Sequence, residues 1–370
     1  MKKIAIFGAG RMGRAVKKLI ELKLFDYEVT CFCDNNLSLH GKIIDKITVI
    51  SANELFQRVK DKTIDLVLVS MKNEHLKGVA YQLKALDIEN VYITPYYCLD
   101  VPLDEIKESD IMIKIDVRKP RFAVLAFYVC DHCNLNCKGC AHFCDLCTEP
   151  KFADVDAFKL DIAHLKELFW GVQTFILFGG EPLLNNMLHE FVLITRETFP
   201  DADIQIWTNG ILLPESPPEL FVMAKKCHAL FYITIYPPAF NMREDMLIPI
   251  YVYKNRYFFD DTKNTFVRHF TLEPNNDPEV IRKYCGATKC HVLGNGVISM
   301  CALPHRMSIF NEHFEQNIAS GGGFELAKET CGWQLESKLS SPVNTCKYCT
   351  FPQEFLWDFS SKKMEDYLCR

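Results

Sequence analysis

The sequence predicts an α/β protein in three parts: an N-terminal parallel sheet, a partial (β/α)6 barrel and a small cysteine-rich C-terminal segment. Three observations predict it. Apolar, β-branched runs alternate with amphipathic stretches over residues 1 to 95, and the alternation restarts at residue 121. Cysteines crowd into 130–147 and return from 285 onward. Continuous apolar strands separated by amphipathic helices are the pattern of parallel sheets covered on both faces.

With 370 residues the chain can bury two or three cores. A hydrophobic share of 49% and a charged share of 24% are those of ordinary globular proteins. The net charge of -5 gives no reason to expect nucleic acid or an anionic membrane as partner. No apolar run approaches the roughly 18 residues of a membrane span. The opening "MKKIAIFGAGRMG" breaks at once into glycines and Arg11, with no cleavage site. It reads as a buried first strand and not as a signal peptide, so the expected location is the cytoplasm. Seventeen cysteines in such a chain read as metal ligands more readily than as disulfides.

The first segment, 1–98, supplies strands at "KKIAIFG", "YEVTCFCD", "ITVIS", "IDLVLVS" and "ENVYITP". "GAGRMG" falls between the first strand and a helical stretch, with Gly8, Gly10 and Gly13 in the GxGxxG spacing. Such glycines permit a tight turn, close backbone approach to a phosphate and close helix packing. Asp34 closes the second strand where a ribose-binding acid would lie, although "CDNN" also makes a turn by itself. These features predict a nucleotide or nucleotide-sugar site. A docking module that keeps its glycines for packing is the alternative.

Residues 99–120 read as a linker from their acidic and proline punctuation. The barrel, 121–284, has strands expected at "FAVLAFYV", "TFILFGG", "DIQIWTN", "LFYITIY" and "FVRHFTL". Helices are expected near 155–169, 185–197, 217–227 and 276–284. Barrel chemistry belongs at the C-terminal ends of the strands.

Directly after the first barrel strand, Cys133, Cys137 and Cys140 are spaced C-x3-C-x2-C. Three thiolates on one loop can hold three irons of a [4Fe–4S] cluster and leave the fourth open. "CNLNCKGC" resembles the signature of the radical S-adenosylmethionine (radical SAM) superfamily. The resemblance implies that the open iron chelates SAM, which one electron cleaves to a 5′-deoxyadenosyl radical. Many members carry an aromatic residue, packed on the adenine, where this chain has Gly139. "LFGGEP" resembles the family's GGEP motif, which implies that Gly179, Gly180 and Glu181 bind the SAM amino group. In "WTNG", Thr208 and Asn209 stand where the family places polar groups near the ribose and carboxylate; Thr234 is a further candidate. Structural zinc on the CxxC pairs is the rival reading. Cys130, Cys144 and Cys147 read as thiols lining the loop.

Near the C-terminus, Cys285, Gly296 and Cys301, followed by Cys346 and Cys349, resemble the SPASM and twitch domains of the same superfamily. The resemblance implies a second, auxiliary [4Fe–4S] cluster in 285–370 on those four cysteines. "VISMC" is expected to be a hairpin strand turned by "GNG". Glu273, His291 and His305 are candidates for handling a substrate proton. The N-terminal segment is similar to Rossmann-like domains of bacterial sugar- and polysaccharide-modifying proteins. The resemblances together imply dehydrogenation or epimerisation of a carbohydrate or nucleotide-linked sugar, with flavodoxin or ferredoxin as reducing partner. Modification of a peptide or protein side chain is the alternative.

Overall fold

The computed structural model describes residues 1–24, 26–260, 263–286, 290–319 and 321–369. The chain divides into two units, the first made of Met1–Arg121, Phe169–Gln173 and Pro200–Ala202 and the second of the remainder.

The first unit runs β1 (Lys2–Phe7), α1 (Arg11–Lys23), β2 (Tyr27–Cys33), β3 (Ile43–Ile44), β4 (Ile47–Ile50), α2 (Ala52–Lys60), β5 (Leu66–Val69), α3 (Asn73–Ala85), β6 (Val91–Ile93), α4 (Glu108–Ile111) and β7 (Ile113–Ile115). The sheet order is β3-β4-β2-β1-β5-β6-β7. Strands β4, β2, β1, β5 and β6 are parallel. Alternate residues of these apolar strands feed two cores. Phe7, Val67 and Val69 pack with Leu55 of α2 and Leu76 and Leu83 of α3. Ile4, Ile6 and Leu68 pack with Val16 and Ile20 of α1. Cys31 and Cys33 are fully buried and act as small apolar residues. Because β1 has β2 on one side and β5 on the other, the strand order reverses beside Gly8 and Ser70, where doubly wound sheets open a ligand crevice.

Residues 99–120 are not a linker. They contain α4 and β7, and β7 pairs antiparallel with β6 as the edge of the sheet. Ile106, Ile111 and Met112 bury in the same core as α1, which is why this acidic stretch stays ordered. At the end of this unit Arg121, fully buried, donates to Asp201 (Nε–Oδ2 3.1 Å, Nη2–Oδ2 2.8 Å) and to the Asn73 carbonyl (3.0 Å). Its guanidinium lies 4.7 Å over the Trp170 ring.

The second unit contains β8 (Arg121–Cys130), α5 (Val155–Leu168), β9 (Gly171–Gly179), α6 (Leu188–Thr198), β10 (Asp203–Thr208), α7 (Pro218–Lys226), β11 (Leu230–Thr234), α8 (Arg243–Tyr253), β12 (Arg256–Asp260), β13 (Thr265–Phe270), α9 (Pro278–Tyr284), β14 (Cys290–Gly294), β15 (Val297–Ser299), α10 (Ala302–Phe314), β16 (Gly323–Glu325), α11 (Gly332–Ser340) and β17 (Cys349–Leu356). Its main sheet runs β12-β11-β10-β9-β8-β14-β15-β16. Phe127 of β8 packs on Phe158 of α5 (4.3 Å), so odd positions of that strand face the helices. Ala126, Tyr128, Ile176, Phe178 and Val292 form a core on the opposite, concave face.

Two expectations are corrected here. The sixth parallel strand is β14, which pairs with β8; the stretch from Phe266 forms β13, paired antiparallel with β17 in a separate two-stranded sheet. Within residues 285–370, β14, β15 and β16 extend the barrel sheet, while β17 lies in the separate sheet with β13. The expected hairpin of β14 and β15 is present, with Asn295 (φ 51°) and Gly296 (φ 71°) both in the left-handed region, as a tight two-residue turn requires.

Candidate active site

Strand β8 delivers Cys130 to the start of the cysteine loop, and β9 delivers Gly179 and Gly180 beside it. A Cβ on Gly180 would lie 2.0 Å from the His132 carbonyl oxygen and 2.7 Å from the Cys133 nitrogen. Only glycine lets the two backbones meet, and they do: Gly180 N–H donates to the Cys130 carbonyl (3.2 Å) and Glu181 N–H to that of His132 (3.0 Å). Replacing Gly180 by alanine must push the loop off the end of β9. We expect Gly180→Ala to cost about 1–3 kcal/mol of overpacking and to cut the iron retained after anaerobic reconstitution, measured by iron assay.

Glu181 is fully buried. Its carboxylate accepts from Leu183 N (3.0 Å), Thr208 Oγ1 (2.6 Å) and Asn209 N (2.8 Å), tying the end of β9 to the end of β10. Burial pushes its pKa up to about 7 against these three bonds. Among the described residues it forms no ion pair, so a ligand ammonium fits beside it. Asn209 reaches on to the loop, donating to Asn134 Oδ1 (2.7 Å) and lying 3.8 Å from the Cys133 sulfur. The structure thus brings Cys133, Gly179, Gly180, Glu181, Thr208 and Asn209 together.

Cys133, Cys137 and Cys140 lie within electrostatic reach of one another. Burial pushes the Cys133 and Cys137 thiols up, so binding a metal there must displace those protons. Cys140 is different: bonds from the Cys144 thiol and from the Cys144 and His142 N–H groups draw its pKa down. Among the described residues no three His, Cys, Asp or Glu side chains converge closely enough for a single metal ion. A four-iron cluster spreads its ligand sulfurs more widely than one ion bound at about 2.3 Å.

The remaining loop cysteines have structural partners. Cys130 donates to the Glu181 carbonyl (3.0 Å) and Cys147 to that of Asp131 (3.1 Å). Arg306 of α10, buried, bonds Asp131, the His142 carbonyl (3.2 Å) and the Cys147 sulfur (3.3 Å), and lies 4.9 Å over Tyr128. Sequence reasoning missed this anchor, because an arginine 159 residues from Cys147 gives no local signal. It also missed Tyr236, whose pKa is raised by burial and by its place near the three cysteines and Glu181. Tyr236 stands two residues beyond Thr234, which was singled out on the same strand end. Gly139 (φ 66°) meets the Phe355 ring, 2.7 Å from where its Cβ would be, so an aromatic from β17 fills the place left by the missing motif residue.

Glu273 and His291 do not join the site. Glu273 is exposed and accepts from Asn275 in a turn (2.7 Å). His291 pairs with Leu125 in register, on the helix-facing side of β14, and packs edge-on against Phe122 (5.6 Å). His305 instead reaches the concave core, stacked on Tyr128 at 5.3 Å; burial and Arg306 lower its pKa to about 4. Burial pushes the Cys301 and Cys349 thiols up, and Cys285 and Cys346 lie near enough to both to add to it, so these four cysteines form a second group.

In the first unit a cleft of about 1540 Å³ is lined by Gly8, Gly10, Arg11, Asp34, Ser70 and Lys72 among others. A Cβ on Gly13 would lie 1.8 Å from the Gly8 carbonyl, whereas Gly10 has nothing within 4 Å. Gly13 is thus needed for packing, and Gly10 faces open space. Asp34 accepts from Ala9 N (2.9 Å) and Asn36 N (2.9 Å), so both carboxylate oxygens already hold the turn.

Residues 127–257 match the family model of the radical SAM superfamily. That segment is a radical SAM domain. Residues 1–94 match the model described as C2185-like, N-terminal. A GTP 3',8-cyclase of Sulfurovum sp. (strain NBC37-1) is 31% identical over 100 residues, 25% of this chain and 28% of that protein. Another, of Clostridium acetobutylicum, is 33% identical over 108 residues, 29% of this chain and 33% of that protein. The chain thus spans about a third of the length of the curated relatives it matches. Among solved structures, BtrN in complex with AdoMet and 2-DOIA is 18% identical, with a TM-score of 0.39 over 62% of this chain and 94% of that one. Among the described residues no helix is long and apolar enough to cross a membrane.

Proposed function

We propose that the radical SAM domain holds a [4Fe–4S] cluster on Cys133, Cys137 and Cys140 and cleaves SAM to abstract hydrogen from a carbohydrate or nucleotide-linked sugar. The observation that carries this reading is Glu181, a buried carboxylate without a cation among the described residues, bonded to Thr208 and Asn209 and seated on the backbone of the cysteine loop. The cluster, when bound, supplies the electron for reductive cleavage of SAM. Glu181 offers its charge to the SAM ammonium, while Thr208 and Asn209 hold that carboxylate in place. Flavodoxin or ferredoxin is the reducing partner in this reading.

Cys285, Cys301, Cys346 and Cys349 would hold an auxiliary [4Fe–4S] cluster. Four cysteines fill every corner, which supports electron acceptance, and with it dehydrogenation, over epimerisation. The cleft of the first unit supports a nucleotide-linked substrate. The N-terminus of α1 offers donors to a phosphate, Gly10 leaves the approach open, and the buried Ser70 hydroxyl lacks a partner among the described residues. With Asp34 committed to the turn, the diphosphate and not the ribose is the recognised group.

Deuterium transfer from labelled nucleotide sugars into 5′-deoxyadenosine tests the substrate class. Absence across a broad sugar panel, with transfer from a peptide, would favour the peptide-modifying alternative. Glu181 gives a pH test. Its folded pKa is raised, so it favours folding below about 4.5, and that contribution is lost as pH rises towards 7. SAM binding has the opposite sign, because the ammonium needs the ionised form. Affinity should rise roughly tenfold per unit up to pH 7 and then level, while Glu181→Gln flattens the profile in calorimetric titrations.

A further inference from the structure

The segment after β17 is strapped along the cysteine loop. Lys138 N–H donates to the Asp358 carbonyl (2.9 Å), Ser360 N–H donates to that of Asn136 (2.8 Å), and Cys137 forms an antiparallel bridge with Phe359. Cys137 is therefore bracketed on both sides by backbone bonds to this strap. Trp357 heads the strap, with its own N–H on the Asn264 carbonyl (2.8 Å) and its ring edge-on to Phe359 at 5.0 Å. Its indole Nε1–H is buried and meets no well-aligned acceptor. In the antiparallel register that the Cys137–Phe359 bridge sets, Trp357 is the diagonal neighbour of Cys137 on the same face, within reach of an aromatic side chain.

A buried indole N–H without an acceptor costs about 1–3 kcal/mol, and indole can only donate. A cluster-bound thiolate is a much stronger acceptor than the thiol. We propose that Trp357 is a positioning residue for the catalytic cluster, its Nε1–H donating to the Cys137 sulfur and making reduction of the cluster easier. This rests on the reading that Cys133, Cys137 and Cys140 hold a [4Fe–4S] cluster. Hydrogen bonds to the sulfurs stabilise the charge added on reduction and so set the potential. The Cys133 sulfur has a donor of its own, Leu135 N (3.4 Å).

The test uses the full chain, reconstituted anaerobically, with its four tryptophans labelled with 15N in the indole. Iron content and a change in the reduced EPR signal on adding SAM report the cluster itself and mark which signal is the open-site one. Pulsed EPR on that signal should show a 15N coupling that disappears in Trp357→Phe. The variant should keep its iron and SAM response, while its midpoint potential falls by about 59 mV, a tenfold change in the one-electron equilibrium. A loaded wild-type cluster without 15N coupling overturns the proposal even where the variant fails to fold. An unchanged potential in a fully loaded variant overturns it as well. A wild-type chain that binds no cluster, or shows no SAM response, sinks the underlying reading instead.

Discussion

Replacing Cys140 by serine should abolish SAM cleavage and remove about half of the iron, about four of eight per chain. Cys140 is the loop thiol most ready to ligate. Its neighbours Cys144 and His142 lower its pKa where burial alone would raise it. A serine oxygen is a harder ligand than thiolate and suits iron–sulfur clusters poorly. Cys285, Cys301, Cys346 and Cys349 lie on other elements and should retain their share of iron. Cys144→Ala should act more mildly, weakening the donor to Cys140 without removing a ligand. Iron assay and the yield of 5′-deoxyadenosine on reduction with SAM check both. Unchanged iron in Cys140→Ser would remove that residue from the ligand set.

Arg121→Met should destabilise the first unit by about 3–5 kcal/mol, because it strands Asp201 as a buried charge. The Arg121 and Asp201 side chains are 0% and 2% exposed, so water cannot replace the lost partner. Asn73 would also lose the guanidinium that its carbonyl and side chain accept from. The double variant Arg121→Met/Asp201→Asn removes both charges and should recover much of the loss. Denaturant unfolding of the two variants measures the difference. A single variant as stable as wild type would show that the pair contributes little.

The parts of the fold visible in the sequence were those fixed by short-range pattern. Strands such as Ile4–Phe7 and Leu66–Val69 are continuous apolar runs because both sheet faces are covered, and the GNG hairpin follows from two left-handed residues. Residues 99–120 hid an edge strand, since three residues, Ile113 to Ile115, give almost no period to detect. The stretch from Phe266 has the composition of a barrel strand, and only its partner, Cys349–Leu356, reveals a separate sheet. Site residues divide in the same way. The cysteine loop, GGEP and TNG are each a few contiguous residues, so their resemblance to the family's motifs is visible in the sequence. Arg306, Tyr236, Phe355 and Trp357 reach the loop from distant segments, and nothing near them in sequence announces it. His291 was singled out because it flanks the auxiliary cysteine motif, whereas alternation along β14 turns it to the helices.

Reconstitution of the full chain without oxygen, followed by reduction in the presence of SAM, tests the central claim most directly. The account predicts iron and sulfide bound, about eight irons per chain, and 5′-deoxyadenosine released in a reaction that Cys133→Ala, Cys137→Ala or Cys140→Ala each abolishes. Zinc in place of iron, or an iron-loaded chain that leaves SAM intact, would contradict it.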